Sequence, residues 1–124
     1  MLQETWFPVE ARSVRAARRA IRRFPGGLDT STRQDAELLT SELVGNAVAG
    51  PGRGRLCLRM RLWDRRLRVE VAQAGPDSGF LAGRDPGEAE IMLRMLDAIS
   101  GSWGHGPAGA GGSVAWFELP IGVR

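Results

Sequence analysis

DAELLTSELVGNAV, Asp35–Val48, is the stretch that decides the fold class of this chain. Thr30 or Ser31 just upstream supplies an N-cap, and Asp35 puts negative charge into the opening turns. The stretch therefore predicts a helix from about Ser31 to about Val48 that ends at Gly50 and Pro51. Glu42 and Asn46 stand four residues apart within it, one turn beyond Leu38, and so project from the same side. A carboxylate and a carboxamide on or beside an apolar stripe cost energy when dry and unpaired, so they belong either at a wet margin or at a site.

Upstream, Thr5 to Val9 reads as a short extended segment, because Pro8 disfavours helix in the residue before it. From Glu10 the spacing of Val14, Ala17, Ile21 and Phe24 marks one helical face, with Arg12, Arg15, Arg18, Arg19, Arg22 and Arg23 on the others. Pro25, Gly26 and Gly27 end that helix. Downstream the period becomes two. Leu56, Leu58, Met60 and Leu62 alternate with Arg55, Cys57, Arg59, Arg61 and Trp63, and Leu67, Val69 and Val71 alternate with Arg68 and Glu70. Asp64 to Arg66 joins the two as an antiparallel hairpin. Gln73 to Gly87 reads as a long loop, and Met92, Leu93, Leu96 and Ile99 mark a third helix from about Pro86 to Ser100. A flexible glycine-rich tract, Gly104 to Gly112, then leads to a last strand, Ser113 to Leu119.

Helix, helix, strand, strand, helix, strand is the order of an α+β two-layer sandwich, with helices on one face of a mixed, mostly antiparallel sheet. The open face is expected to carry Arg55, Arg59, Arg61, Arg68 and Glu70 into solvent. A chain of 124 residues and 13.4 kDa fits one domain, 1–124. No run approaches the ~18 apolar residues that cross a bilayer. Neither a membrane partner nor a location outside the cytoplasm is expected. Cys57 is the only cysteine, which excludes an internal disulfide, and its arginine neighbours are expected to lower its pKa. His105 is the only histidine and reads as a solvated loop residue. Trp103 and Trp116 read as a core pair. All 17 basic residues are Arg, yet the net charge is only +3 and no aromatic stripe accompanies the arginines of helix one and the open face. Nucleic acid is accordingly not the expected partner.

Several segments in register, ARSVRAARRAIRR, DAELLTSELVGNAV, LRVEV before a loop, LDAISGSWG and GGSVAWFELP, together resemble the GHKL superfamily. Within it the chain is most similar to the small anti-sigma serine kinases, relatives of the histidine kinase-like ATPase domain (the Bergerat fold). The resemblance spans nearly the whole chain. It implies ATP and magnesium as ligands, Glu42 as the catalytic group that polarises the attacking hydroxyl, and Asn46 as the magnesium-binding residue. A DxGxG motif in the family receives adenine. Here that stretch is Gln73, Ala74, Gly75, Pro76 and Asp77, so a neutral Gln73 replaces the aspartate and only Gly75 survives in place. The loss is worth about 1 to 2 kcal/mol, roughly tenfold in affinity. Ser113 keeps the hydroxyl of a family threonine that holds adenine.

The family's GxG turn, which opens helix three and wraps the phosphates, falls on Glu90, Ile91 and Met92, with no glycine among them. Gly83 and Gly87 lie upstream, where a displaced lid would form. After NAV, relatives continue the helix with a basic residue and a histidine, whereas Ala49, Gly50, Pro51 and Gly52 end it here. Losing two or three contacts of roughly 1.5 to 3 kcal/mol each moves a micromolar site to millimolar or weaker. The reading that follows is a regulatory, anti-sigma-like protein that acts by protein–protein binding, with ATP binding weak or lost. Its expected partner is a sigma factor or an anti-anti-sigma factor, and Thr5 to Val9 offers a strand for a homodimer. The alternative is an active ATP- and magnesium-dependent serine protein kinase, and the third is a nucleic-acid binder that uses the arginines.

Overall fold

The computed structural model describes residues 1–75 and 79–121. Strand β1 (Leu2–Pro8) leads into helix α1 (Arg12–Arg22) and helix α2 (Thr30–Ala49). The hairpin β2 (Arg55–Trp63) and β3 (Arg66–Gln73) follows, then α3 (Pro86–Ile99), β4 (Ser102–Pro107) and β5 (Ser113–Pro120). The sheet order is β1-β2-β3-β5-β4. The mixed, mostly antiparallel sheet expected is antiparallel at every pairing. Ala17 and Ile21 of α1, Leu39, Leu43 and Val44 of α2, and Met92 and Leu96 of α3 form one buried cluster with Leu56, Leu58, Met60, Leu67, Val69 and Phe117 of the sheet. The α+β two-layer architecture is therefore the observed one.

Local chemistry explains the boundaries. Asp29, and not Thr30 or Ser31, caps α2: its carboxylate accepts from the Thr32 N–H at 3.3 Å and from the Thr32 hydroxyl at 2.5 Å. Arg33 reaches back and donates to the carbonyls of Ile21 and Arg22 at 2.8 and 2.6 Å, satisfying the acceptors at the end of α1. The hairpin turn places Asp64 and Arg65 at φ +46 and +58, the left-handed pair that a two-residue connection requires.

One strand departs from expectation. The Gly104–Gly112 tract is not a flexible connector throughout, because its first half belongs to β4. Glycine suits that strand for a steric reason: a Cβ at Gly104 would lie 2.7 Å from the indole of Trp116. Trp116 is therefore on the open face, while Trp103 pairs in register with the buried Phe117 on the helix side, so the two tryptophans are not a core pair.

The open face carries the expected arginines and also three tryptophans. Arg55, Arg61 and Arg68 stack over Trp6, Trp63 and Trp116 at 4.9, 5.1 and 4.0 Å. An ion-pair ladder crosses the strands: Arg59 bridges Glu4 and Glu70, and Arg68 bridges Glu70 at 2.7 Å and Glu118 at 3.0 Å. Cys57 is buried in that face. Burial, and then the charge of Glu4, push its thiol above the ordinary range, so the lowered pKa expected from its arginine neighbours is not found.

Candidate functional site

Helix α2, the ends of β3 and β5, and the turn after β3 converge on a small cleft. Its walls are Leu43, Ala47, Val71 and Ala115, and its polar groups are Asn46, Gln73 and Ser113. Three of the residues singled out for a nucleotide are thus brought together from three elements. Gly52 and Gly112 make this possible, because a Cβ on Gly52 would meet the Gln73 carboxamide and one on Gly112 would meet the Gln73 carbonyl. Asn46 is 6% exposed, and its Oδ1 has no hydrogen-bond partner among the described residues. A buried acceptor in that condition costs about 1–3 kcal/mol unless a water or ligand meets it.

Glu42 lies one turn back on α2 and is half-buried, but it does not line the cleft. Leu38, a turn earlier still, is 38% exposed, so this helix side runs from solvent into the cleft. Gly75 takes φ +106, the backbone conformation for which a glycine is needed. Pro76 and Asp77, the remainder of the DxGxG counterpart, lie outside the described residues.

The turn after β3 narrows the cleft with an aromatic ring. Phe80 lines it, stacks on His105 with ring centroids 4.6 Å apart and lies 6.3 Å from Trp103. His105 is exposed as expected, but it sits on β4 and serves as a ring platform instead of a loop residue. A volume of about 20 Å³ remains, room for one water and far below the roughly 300 Å³ of a typical small-molecule site. Phe80 carries no signal of this role in the sequence, since the whole 73–87 stretch reads as loop.

The segment to which the resemblance assigns phosphate contacts departs from that pattern. Glu90, Ile91 and Met92 lie inside α3, with Met92 buried in the core and Ile91 62% exposed, so no turn exists there to wrap an anion. The helix opens instead at Asp85, whose own carboxylate accepts from the N–H groups of Gly87 at 3.0 Å and Glu88 at 3.2 Å. Glu88 adds a second negative charge in the first turn. The positive end of this helix dipole is satisfied by the chain itself. Gly83, at φ +71, belongs to the turn that precedes it.

Among the described residues Asn46 offers a metal-type acceptor, while the amides of Gly87 and Glu88 that open α3 are held by Asp85. Among the described residues no group of three His, Cys, Asp or Glu side chains is placed to hold a metal. Nor is any helix long and apolar enough to cross a membrane.

This arrangement of α2, α3 and a five-stranded antiparallel sheet is the fold of the histidine kinase-like ATPase domain. Acinetobacter baumannii histidine kinase AdeS superposes with a TM-score of 0.57 at 13% identity, over 96% of this chain and 68% of that one. Full-length ShkA in complex with AMPPNP matches with a TM-score of 0.46 at 20% identity, over 97% of this chain and 32% of that one. No protein-family profile matches the chain, and no curated protein does. The structural likeness establishes the fold.

Proposed function

We propose that this chain is a regulatory protein of the anti-sigma type, built on the histidine kinase-like fold, that works by protein–protein binding while its affinity for ATP is weak or lost. One observation carries the reading: the amides that open α3 are already bonded to the Asp85 carboxylate. A triphosphate would have to displace that carboxylate and approach Glu88, forfeiting charge-assisted contacts of roughly 1.5–3 kcal/mol each.

Helix α1 supplies the partner surface. Arg12 pairs with Glu10 and Arg22 with Glu37, but Arg15, Arg18, Arg19 and Arg23 are exposed and have no acidic partner among the described residues. Arg12, Val14, Arg15 and Arg18 border a surface groove of about 540 Å³. An acidic segment of a sigma factor or anti-anti-sigma factor complements it in charge. Binding of such a partner, measured by calorimetry, is expected to be the same with and without magnesium ATP and to weaken at least tenfold in Arg15→Glu/Arg18→Glu. A partner retained equally well by the double variant refutes the assignment of α1.

Asn46 favours a second reading, since its buried and unpartnered Oδ1 is the acceptor that the resemblance assigns to magnesium, with Glu42 as catalytic group of a serine kinase. Serine phosphorylation of a partner that disappears in Glu42→Ala establishes this alternative and removes the first.

A further inference from the structure

The departure at Gly50–Pro51 acquires a role in the structure. Helix α2 stops there, and the turn carrying Phe80 rests on the stump: a Cβ on Gly50 would lie 3.0 Å from the Ala82 carbonyl, and one on Gly83 would lie 3.2 Å from the Pro51 ring. The turn is closed by its own hydrogen bonds, Ala82 N–H to Gly79 O at 2.9 Å and Arg84 N–H to Leu81 O at 3.1 Å. Leu81 has φ +67, an unfavourable left-handed conformation for a branched side chain. The burial of Phe80 and Leu81 against the core cluster holds it there.

We propose that the turn carrying Phe80, which enters the cleft with Gly79 and runs on to the Asp85 cap, is an internal occupant that competes with nucleotide for the cleft. Phe80 takes the space of a planar ring between Asn46 and the His105 platform, and Asp85 takes the place of a phosphate oxygen at the start of α3. Docked segment and bound nucleotide are mutually exclusive, so the observed affinity of the cleft is its intrinsic affinity multiplied by the fraction of molecules in which the segment is released. The strain at Leu81 is relieved on release, and Gly50 and Pro51 are the seat. This inference rests on reading the cleft as a nucleotide site of reduced affinity.

The test is a calorimetric titration with magnesium ADP of the wild-type chain, four single variants and the Phe80→Ala/Asp85→Asn double variant, each checked for an unchanged far-ultraviolet spectrum. Phe80→Ala removes the ring, and Asp85→Asn removes the charge while keeping a capping oxygen. Gly50→Val unseats the turn, and Phe80→Leu keeps most of the bulk. Phe80→Ala and Gly50→Val are each expected to bind at least tenfold more tightly than the wild type, which corresponds to a wild-type released fraction of about one tenth or less. Asp85→Asn is expected to add to Phe80→Ala, and Phe80→Leu to gain less than threefold. Folded Phe80→Ala and Gly50→Val proteins that bind no better than a weak wild type overturn the internal occupant and leave the function proposed above intact. A wild type that already binds in the micromolar range overturns both.

Discussion

Replacing Asn46 by Leu is the most informative single substitution for separating site from scaffold. Asn46 is 6% exposed, in contact with the apolar walls of the cleft, and its Oδ1 has no partner. Leucine has nearly the same shape, keeps the helix propensity high and removes the dry acceptor. The unsatisfied oxygen costs about 1–3 kcal/mol, and a water in the remaining 20 Å³ would recover part of it, so the net gain is about 1 kcal/mol. For a chain of 124 residues that raises the melting temperature by roughly 3–5 °C. Thermal and urea unfolding without nucleotide read the effect, the urea slope remaining unchanged. A loss of more than about 1 kcal/mol would show that the carboxamide supports the fold, and would refute its reading as a residue kept for a ligand.

Four other outcomes follow from the same geometry. Arg68→Met leaves Glu70 and Glu118 facing each other without their shared partner and should cost about 2 kcal/mol, measured by urea unfolding at low and high salt. Because burial raises the Cys57 thiol, the unfolded chain ionises first as pH rises. Stability is then complete below the ordinary thiol range and falls above it, and Cys57→Ala should abolish that slope in unfolding between pH 7 and 10. Asp64→Asn with Arg65→Gly relieves two left-handed residues and should stabilise the hairpin by about 1 kcal/mol in thermal unfolding. Gly112→Ala forces a side chain into the Gln73 backbone and should destabilise by at least about 2 kcal/mol, readable as a lower urea midpoint.

Much of the architecture was legible because it is written in periodicity. Val14, Ala17 and Ile21 at helical steps, and Leu56, Leu58 and Met60 at alternate positions, can bury together only as helices on a sheet. Strand β4 was not legible, because Gly104 and Gly106 carry no side chains to show alternation and the reason for glycine, the ring of Trp116, comes from another strand. The family resemblance singles out Asn46, Gln73 and Ser113 one by one, and the structure places the three along one cleft. Its occupant was not foreseen. Phe80 is a single aromatic in a Gly-, Pro- and Asp-rich stretch, and only the positions of Gly50, Pro51 and His105 show where it goes. The cap at Asp85 was equally hidden, since the family pattern directs attention five residues downstream to Glu90.

A calorimetric titration of magnesium ATP into the wild-type chain separates a weakened nucleotide site from a working one. No saturation below the millimolar range is expected, whereas a saturable, stoichiometric isotherm with a micromolar Kd overturns the proposed loss of affinity.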